Sequence, residues 1–249
     1  MAIEKGHNAK RVTAGLLALS IVAGQLMLPA NVGTGGLFGG ISASADTYTG
    51  SVDSSALKVG DIVSSGTIVY NKTGALLVNA DTNETFAMEV PRVTFSSTSV
   101  ITEVSGGYVK YSTLKNETLD LTSSAKVEES DDNKATWYSG DDDGANIGFN
   151  NYALTIDNKN GAIISKVELT PGYLHTEASN FSSTVVTDPS TAVVSSNLSG
   201  QYQSVSGTLT ISDINAASVT ITSTFGAWAQ FKSVKIYYAT TAGATQQDP

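Results

Sequence analysis

Between Gly207 and Tyr238, apolar residues recur at every second position in three consecutive runs. Leu209 and Ile211 alternate with threonines, Val219 and Ile221 with Thr220 and Thr222, and Val234, Ile236 and Tyr238 with Lys235 and Tyr237. Such patterning buries one face of an extended chain and exposes the other, so it demands a sheet. Two stretches carry a further constraint. Ile164 to Leu169 and Phe231 to Ile236 both place apolar residues at relative positions 1, 4 and 6. A regular strand points positions 1 and 4 to opposite faces, which predicts a β-bulge at the intervening polar pair, Ser165-Lys166 in one and Lys232-Ser233 in the other. If the two strands lie side by side, Glu168 and Lys235 share the solvent face and form a cross-strand ion pair.

The rest of the chain is consistent with an all-β protein. Only 15% of the 249 residues are charged, against about 25% in an ordinary soluble domain. The polar surface is instead Ser, Thr, Asn and Gly, a composition that favours strands and turns over helices. There is no cysteine, which excludes disulfides, thiolate zinc sites and cysteine nucleophiles. The net charge of -9 repels phosphate backbones and argues against a nucleic-acid partner.

Residues 1–45 read as an export signal with a short helix. Lys5, Lys10 and Arg11 form a basic start, Leu16 to Leu28 is an apolar run that is short for a membrane span, and no charge appears again until Asp46, with an uncleaved N-terminal anchor as the alternative reading. Ala43-Ser44-Ala45 offers the small residues a signal peptidase accepts, so cleavage is expected before Asp46. A polar linker (46–56) then leads into a small all-β unit (57–125). In it, Thr67 to Tyr70 and Ala75 to Val78 flank the turn 71–74, and Ser105-Gly106-Gly107 marks a hairpin. An acidic linker (126–135) marks the boundary to a second unit (136–240), succeeded by a polar tail (241–249). In the second unit Tyr152, Leu154 and Ile156 alternate before the turn 158–161, and Ile164 to Leu169 is expected to return as their partner strand.

The series Ile164 to Leu169, Gly207-Thr208-Leu209, Val219 to Ile221 and Phe231 to Tyr238 resembles the jelly-roll modules, similar to carbohydrate-binding modules, of exported bacterial surface proteins. Leu57-Lys58-Val59-Gly60-Asp61 resembles the opening of the small β repeats that accompany them. The resemblance implies a C-terminal jelly-roll-like β-sandwich preceded by a small all-β unit, and implies architecture more firmly than activity.

For chemistry, the sequence offers little. His175 is the one histidine outside the export signal, and no G-x-S-x-G elbow accompanies it. Glu168 and Glu177 are the carboxylates nearest the aromatic loops, but nothing marks them as a glycosidase pair. Ser139, Asp141, Asp143 and Gly144 match positions 1, 3, 5 and 6 of a calcium loop, whereas Asn150 stands where its bidentate Glu belongs. Asp141 and Asp143 are therefore candidate ligands of a structural calcium ion rather than parts of a complete EF-hand. Trp137, Tyr138, Tyr173, Phe225 and Trp228 fall at or near strand ends, where flat rings can stack on sugars or plug the sandwich. Together these readings predict a secreted or cell-surface, non-enzymatic protein that binds a glycan or another cell-surface component through Trp137, Tyr138, Tyr173 and Trp228. The rival expectation is a structural or adhesive protein whose rings are buried, with a secreted glycoside hydrolase a distant third.

Overall fold

A computed structural model describes residues 45–71, 74–82, 84–86, 92–175, 177–224 and 227–242. The expected export signal lies outside these residues except for Ala45, as do Phe225 and most of the tail. The chain is all-β, with a jelly-roll-like sandwich preceded by a small all-β unit.

The sandwich has two sheets. One contains Leu209–Ala216, the central strand Ala162–Leu174 and the closing strand Ala229–Ala242 as neighbours, with Val193–Ser196 at the outer edge. The other is a purely antiparallel sheet ordered Val127–Glu129, Asn133–Trp137, Leu154–Asn158, Ser218–Ser223, Val185–Asp188. The chain passes from one sheet to the other at most connections, as in a jelly roll. Inward residues of both sheets meet in one core: Leu154, Ile156, Val219 and Ile221 from one face, and Ile164, Val167, Leu169, Ile211, Val234 and Ile236 from the other, all fully buried.

Both predicted bulges are present. In the pairing of central and closing strands, Ser165 is the extra residue between Ile164↔Tyr238 and Lys166↔Tyr237, and Lys232 is the extra residue between Pro171↔Phe231 and Thr170↔Ser233. Each bulge returns the apolar residues to the core face, which is why Ile164, Val167, Phe231 and Val234 are all buried. Glu168 lies directly opposite Lys235, but its carboxylate is held at 2.7 Å by Lys166 and accepts a 2.9 Å hydrogen bond from the Tyr237 hydroxyl. Lys235 instead lies over the Tyr237 ring, 5.0 Å from its centre. Burial alone would raise the Glu168 carboxyl, but the Lys166 and Tyr237 hydrogen bonds outweigh it and hold the group below its ordinary value.

Two expected pairings are corrected. Ile164 to Leu169 is not the sheet partner of Leu154–Asn158, because the turn 158–161 carries the chain across to the opposite sheet. The Asn158 side chain caps that corner, accepting from the Asn160 and Ala162 amides at 3.1 and 2.9 Å. The two strands then share a core rather than an edge, and apolar alternation looks the same in both cases. Likewise Ile68–Tyr70 and Leu76–Asn79 do not form a hairpin. The first joins a three-stranded sheet with Ser51–Asp53 and Arg92–Thr94, and the second runs parallel to the long strand Tyr108–Asp120.

Tyr108–Asp120 ties the small unit to the sandwich. Its first half pairs with Ser99–Ser105 across the Gly106-Gly107 turn, and its second half pairs with the closing strand from Leu114↔Ala239 to Asp120↔Ser233. A separate core of Val63, Val69, Leu77, Phe95, Ile101 and Tyr111 fills the small unit.

Candidate functional site

The strand registers bring several loops to one end of the sandwich. Ile147, Ala229 and Leu174 lie abreast in one sheet, and Trp137, Leu154 and Ile221 lie abreast in the other. Their flanking residues in the chain therefore gather at one end: Tyr138, the turn 149–151, Trp228 and His175. Gly148 makes the junction between the sheets. Its φ of +94° suits only glycine, and any side chain there would collide with the Ala227 carbonyl. Its amide donates to the Tyr152 carbonyl at 2.9 Å, which folds the turn under Trp228.

The aromatic side chains of these loops form a continuous row. Tyr138 packs on Tyr152 with ring centres 4.8 Å apart, Tyr152 meets Phe149 at 6.0 Å, and Phe149 meets Trp228 edge-on at 5.8 Å. Trp228 stacks on Tyr173 at 5.1 Å and 21°, and on His175 at 4.9 Å and 13°. Tyr202 closes the row, 5.8 Å from Tyr173 and 6.5 Å from His175. The backbone fixes that end: His175 donates its amide to the Trp228 carbonyl at 3.1 Å, and Tyr202 donates its own to the Leu174 carbonyl at 2.8 Å. The flanks of the row are open, with Tyr138 70%, Phe149 48% and Tyr202 49% exposed, whereas Tyr152, Tyr173 and Trp228 are half-buried between them. Tyr138 also has the Lys126 ammonium over its ring at 5.8 Å.

A cleft of about 490 Å³ adjoins the Tyr202 end, lined by Glu177, Ala178, Leu198, Ser199, Gly200 and Gln201. The Gln201 side-chain amide donates to the His175 carbonyl at 2.9 Å, so cleft and row share one loop. Half-buried rings braced against one another, with exposed rings beside them and a cleft carrying Glu177, Ser199 and Gln201 at one end, make a surface suited to a flat ligand with apolar faces and polar edges.

Three of the four predicted ring residues, Tyr138, Tyr173 and Trp228, meet in this row. Trp137 does not. It is 5% exposed, belongs to the core, and its indole N–H has no hydrogen-bond partner among the described residues. In Asn133–Trp137 the odd-numbered residues face inward, and with only Asn133 and Ala135 beside Trp137 the apolar alternation is too weak to show it. Phe149, Tyr152 and Tyr202 are site residues that the sequence does not mark. Phe149 and Tyr202 sit in turns with residues of positive φ, where periodicity carries no signal.

In the acidic turn the Asp141 carboxylate is engaged in hydrogen bonds. The Asp141 carboxylate accepts the Asp143 amide at 2.9 Å and the Gln230 side-chain amide at 2.6 Å, and among the described residues no three His, Asp or Glu side chains come together around a metal position. Gly144, which matches the calcium-loop glycine, has a packing role: at φ +105° it lies against the Phe231 backbone, where a side chain would collide. Comparison with known proteins finds no matching family model, no matching curated protein and no matching solved structure.

Proposed function

We propose that this is an exported, non-enzymatic binding protein whose ligand is a glycan lying along the row of rings at one end of the sandwich. The observation that carries the reading is the continuity of the row, from Tyr138 through Tyr152, Phe149, Trp228 and Tyr173 to Tyr202, with open rings at both ends. Sugar rings present flat C–H faces to aromatic side chains and hydroxyls to polar groups. The Glu177, Ser199 and Gln201 cleft would supply the second kind of contact. A net charge of -9 disfavours polyanionic ligands and leaves neutral glycans as the better match. In this reading Trp228 and Tyr173 brace the platform, and Tyr138, Phe149 and Tyr202 touch the ligand.

The test is a glycan-array screen of the intact protein, with subsequent titration of a binding glycan against Tyr138→Ala, Phe149→Ala and Tyr202→Ala. Specific binding weakened at least about tenfold by one of these exposed changes is expected, since stacking on one ring contributes on the order of 1.4 kcal/mol or more. Absence of binding by the unaltered protein would leave the rings as a plug for the open end and favour a structural or adhesive role.

A further inference from the structure

The first described residues of the chain meet two buried carboxylates, far from the ring row. Asp61 is fully buried and accepts the Asp46 amide at 2.9 Å and the Lys58 amide at 2.8 Å. Asp213, 6% exposed, accepts the Ala45 amide at 2.5 Å through Oδ1, and its Oδ2 has no hydrogen-bond partner among the described residues. Two consecutive main-chain nitrogens are thus each taken by a different buried carboxylate. The segments that carry these acids are joined directly, because Asn215, two residues after Asp213, packs on Gly60, the residue before Asp61, and donates to the Val59 carbonyl at 3.5 Å.

The surroundings leave the two acids without a full countercharge. The Lys58 ammonium lies 3.9 Å from the Asp46 carboxylate and is half exposed, and the Tyr48 hydroxyl also turns to Asp46, at 3.4 Å. Among the described residues, no side-chain cation forms an ion pair with Asp61 or Asp213, and no metal position exists between them. Burial raises the Asp61 carboxyl, against the Asp46 and Lys58 amides that hold it down. A buried carboxylate oxygen without a partner is costly, and a peptide nitrogen has one hydrogen with which to relieve it. A free α-amino group at the same place has three hydrogens and a positive charge.

We propose that the chain is cut between Ser44 and Ala45 and that the α-ammonium of Ala45 seats against the Asp213 carboxylate as an internal ion pair, with the Asp46 amide staying on Asp61. The cut is a hydrolysis: water adds across the Ser44–Ala45 peptide bond, Ser44 leaves with a new carboxylate, and Ala45 keeps an amine that takes up a proton. The protease that performs it comes from outside the chain, and Ser42-Ala43-Ser44 provides the small residues a signal peptidase requires. The inference rests on the export reading but not on the glycan reading. It moves the expected cleavage one residue upstream, because the nitrogen that meets the unpartnered carboxylate is that of Ala45 rather than Asp46.

Two experiments test it, the first independently of export. In the full-length chain, a site-specific protease sequence placed directly before Ala45 allows the same molecule to be studied before and after cutting. Cutting is expected to raise the melting temperature by roughly 2–4 °C. It should also give the Ala45 α-amino group a titration midpoint, measured by NMR, at least about one unit above the usual 7.7–8.0. The same melting temperature before and after cutting, with an ordinary titration, overturns the ion pair without any variant having to fold. Asp213→Asn should abolish the gain on cutting. Mass spectrometry of the exported protein then reads the native cut: a chain beginning at Ala45 supports the proposal, and one beginning at any other residue overturns it.

Discussion

Trp137 and Tyr138 are adjacent in sequence and opposite in role. The strand alternation turns the Trp137 indole into the core and the Tyr138 phenol out to solvent, 5% against 70% exposed. Trp137→Ala is expected to cost about 3–5 kcal/mol of stability by opening a core cavity. Tyr138→Ala should change stability by no more than about 0.5 kcal/mol, and chemical denaturation separates the two. Glu168 predicts a pH dependence. Its folded-state carboxyl titrates below the unfolded value, so its stabilising contribution is present above the ordinary carboxylate range and is lost as pH falls through the folded value. Lys166→Met should therefore lower the melting temperature near neutrality and have a progressively smaller effect as the pH is taken below the ordinary carboxylate range and the carboxylate it held becomes protonated.

At the scale of the strand, what the sequence discloses depends on whether the information is local. The 1-4-6 spacing of Ile164, Val167 and Leu169, and of Phe231, Val234 and Ile236, is a property of one strand. It locates both bulges and, through their likeness, the pairing that sets Glu168 opposite Lys235. Which sheet a strand joins is not local. Leu154–Asn158 and Ala162–Leu174 have the same apolar alternation whether they pair at an edge or face each other across a core, so the corner at Asn158 looks like a hairpin in sequence. The ring row shows the same division: Tyr173, near the end of its strand, and Trp228, next to one, are legible, and Phe149 and Tyr202, in turns, are not. The bulges also carry a prediction. Deleting Lys232 removes the extra residue and turns one side of the closing strand inside out, which would expose either Phe231 and Ala229 or Val234, Ile236 and Tyr238. The variant should lose the native β circular-dichroism signal, whereas Lys232→Ala should retain it.

Over the whole molecule, one contact decides how the parts behave together. The second half of Tyr108–Asp120 lies in register beside the closing strand from Leu114↔Ala239 to Asp120↔Ser233, so the small unit and the sandwich share a continuous sheet. Val100 and Leu114 of the small unit also pack with Ala162 and Ala239 of the sandwich. Neither part can lose its shared strands without stripping the other, and calorimetry should record a single transition rather than two. A calorimetric enthalpy well above the van't Hoff value would show that the two parts melt separately.

The closing strand has neighbours on both sides, Tyr108–Asp120 and Ala162–Leu174, and it carries Gly144–Ile147 as well. It is also the last strand of the sandwich to leave the ribosome. Until it arrives, the sheet has a gap at its centre, and the strands on either side of it, each paired with another strand elsewhere, have no neighbour along the edges that face the gap. Synthesis of the sandwich strands can therefore be nearly complete while the sheet is still open, with the delay set by the position of one strand in the sequence.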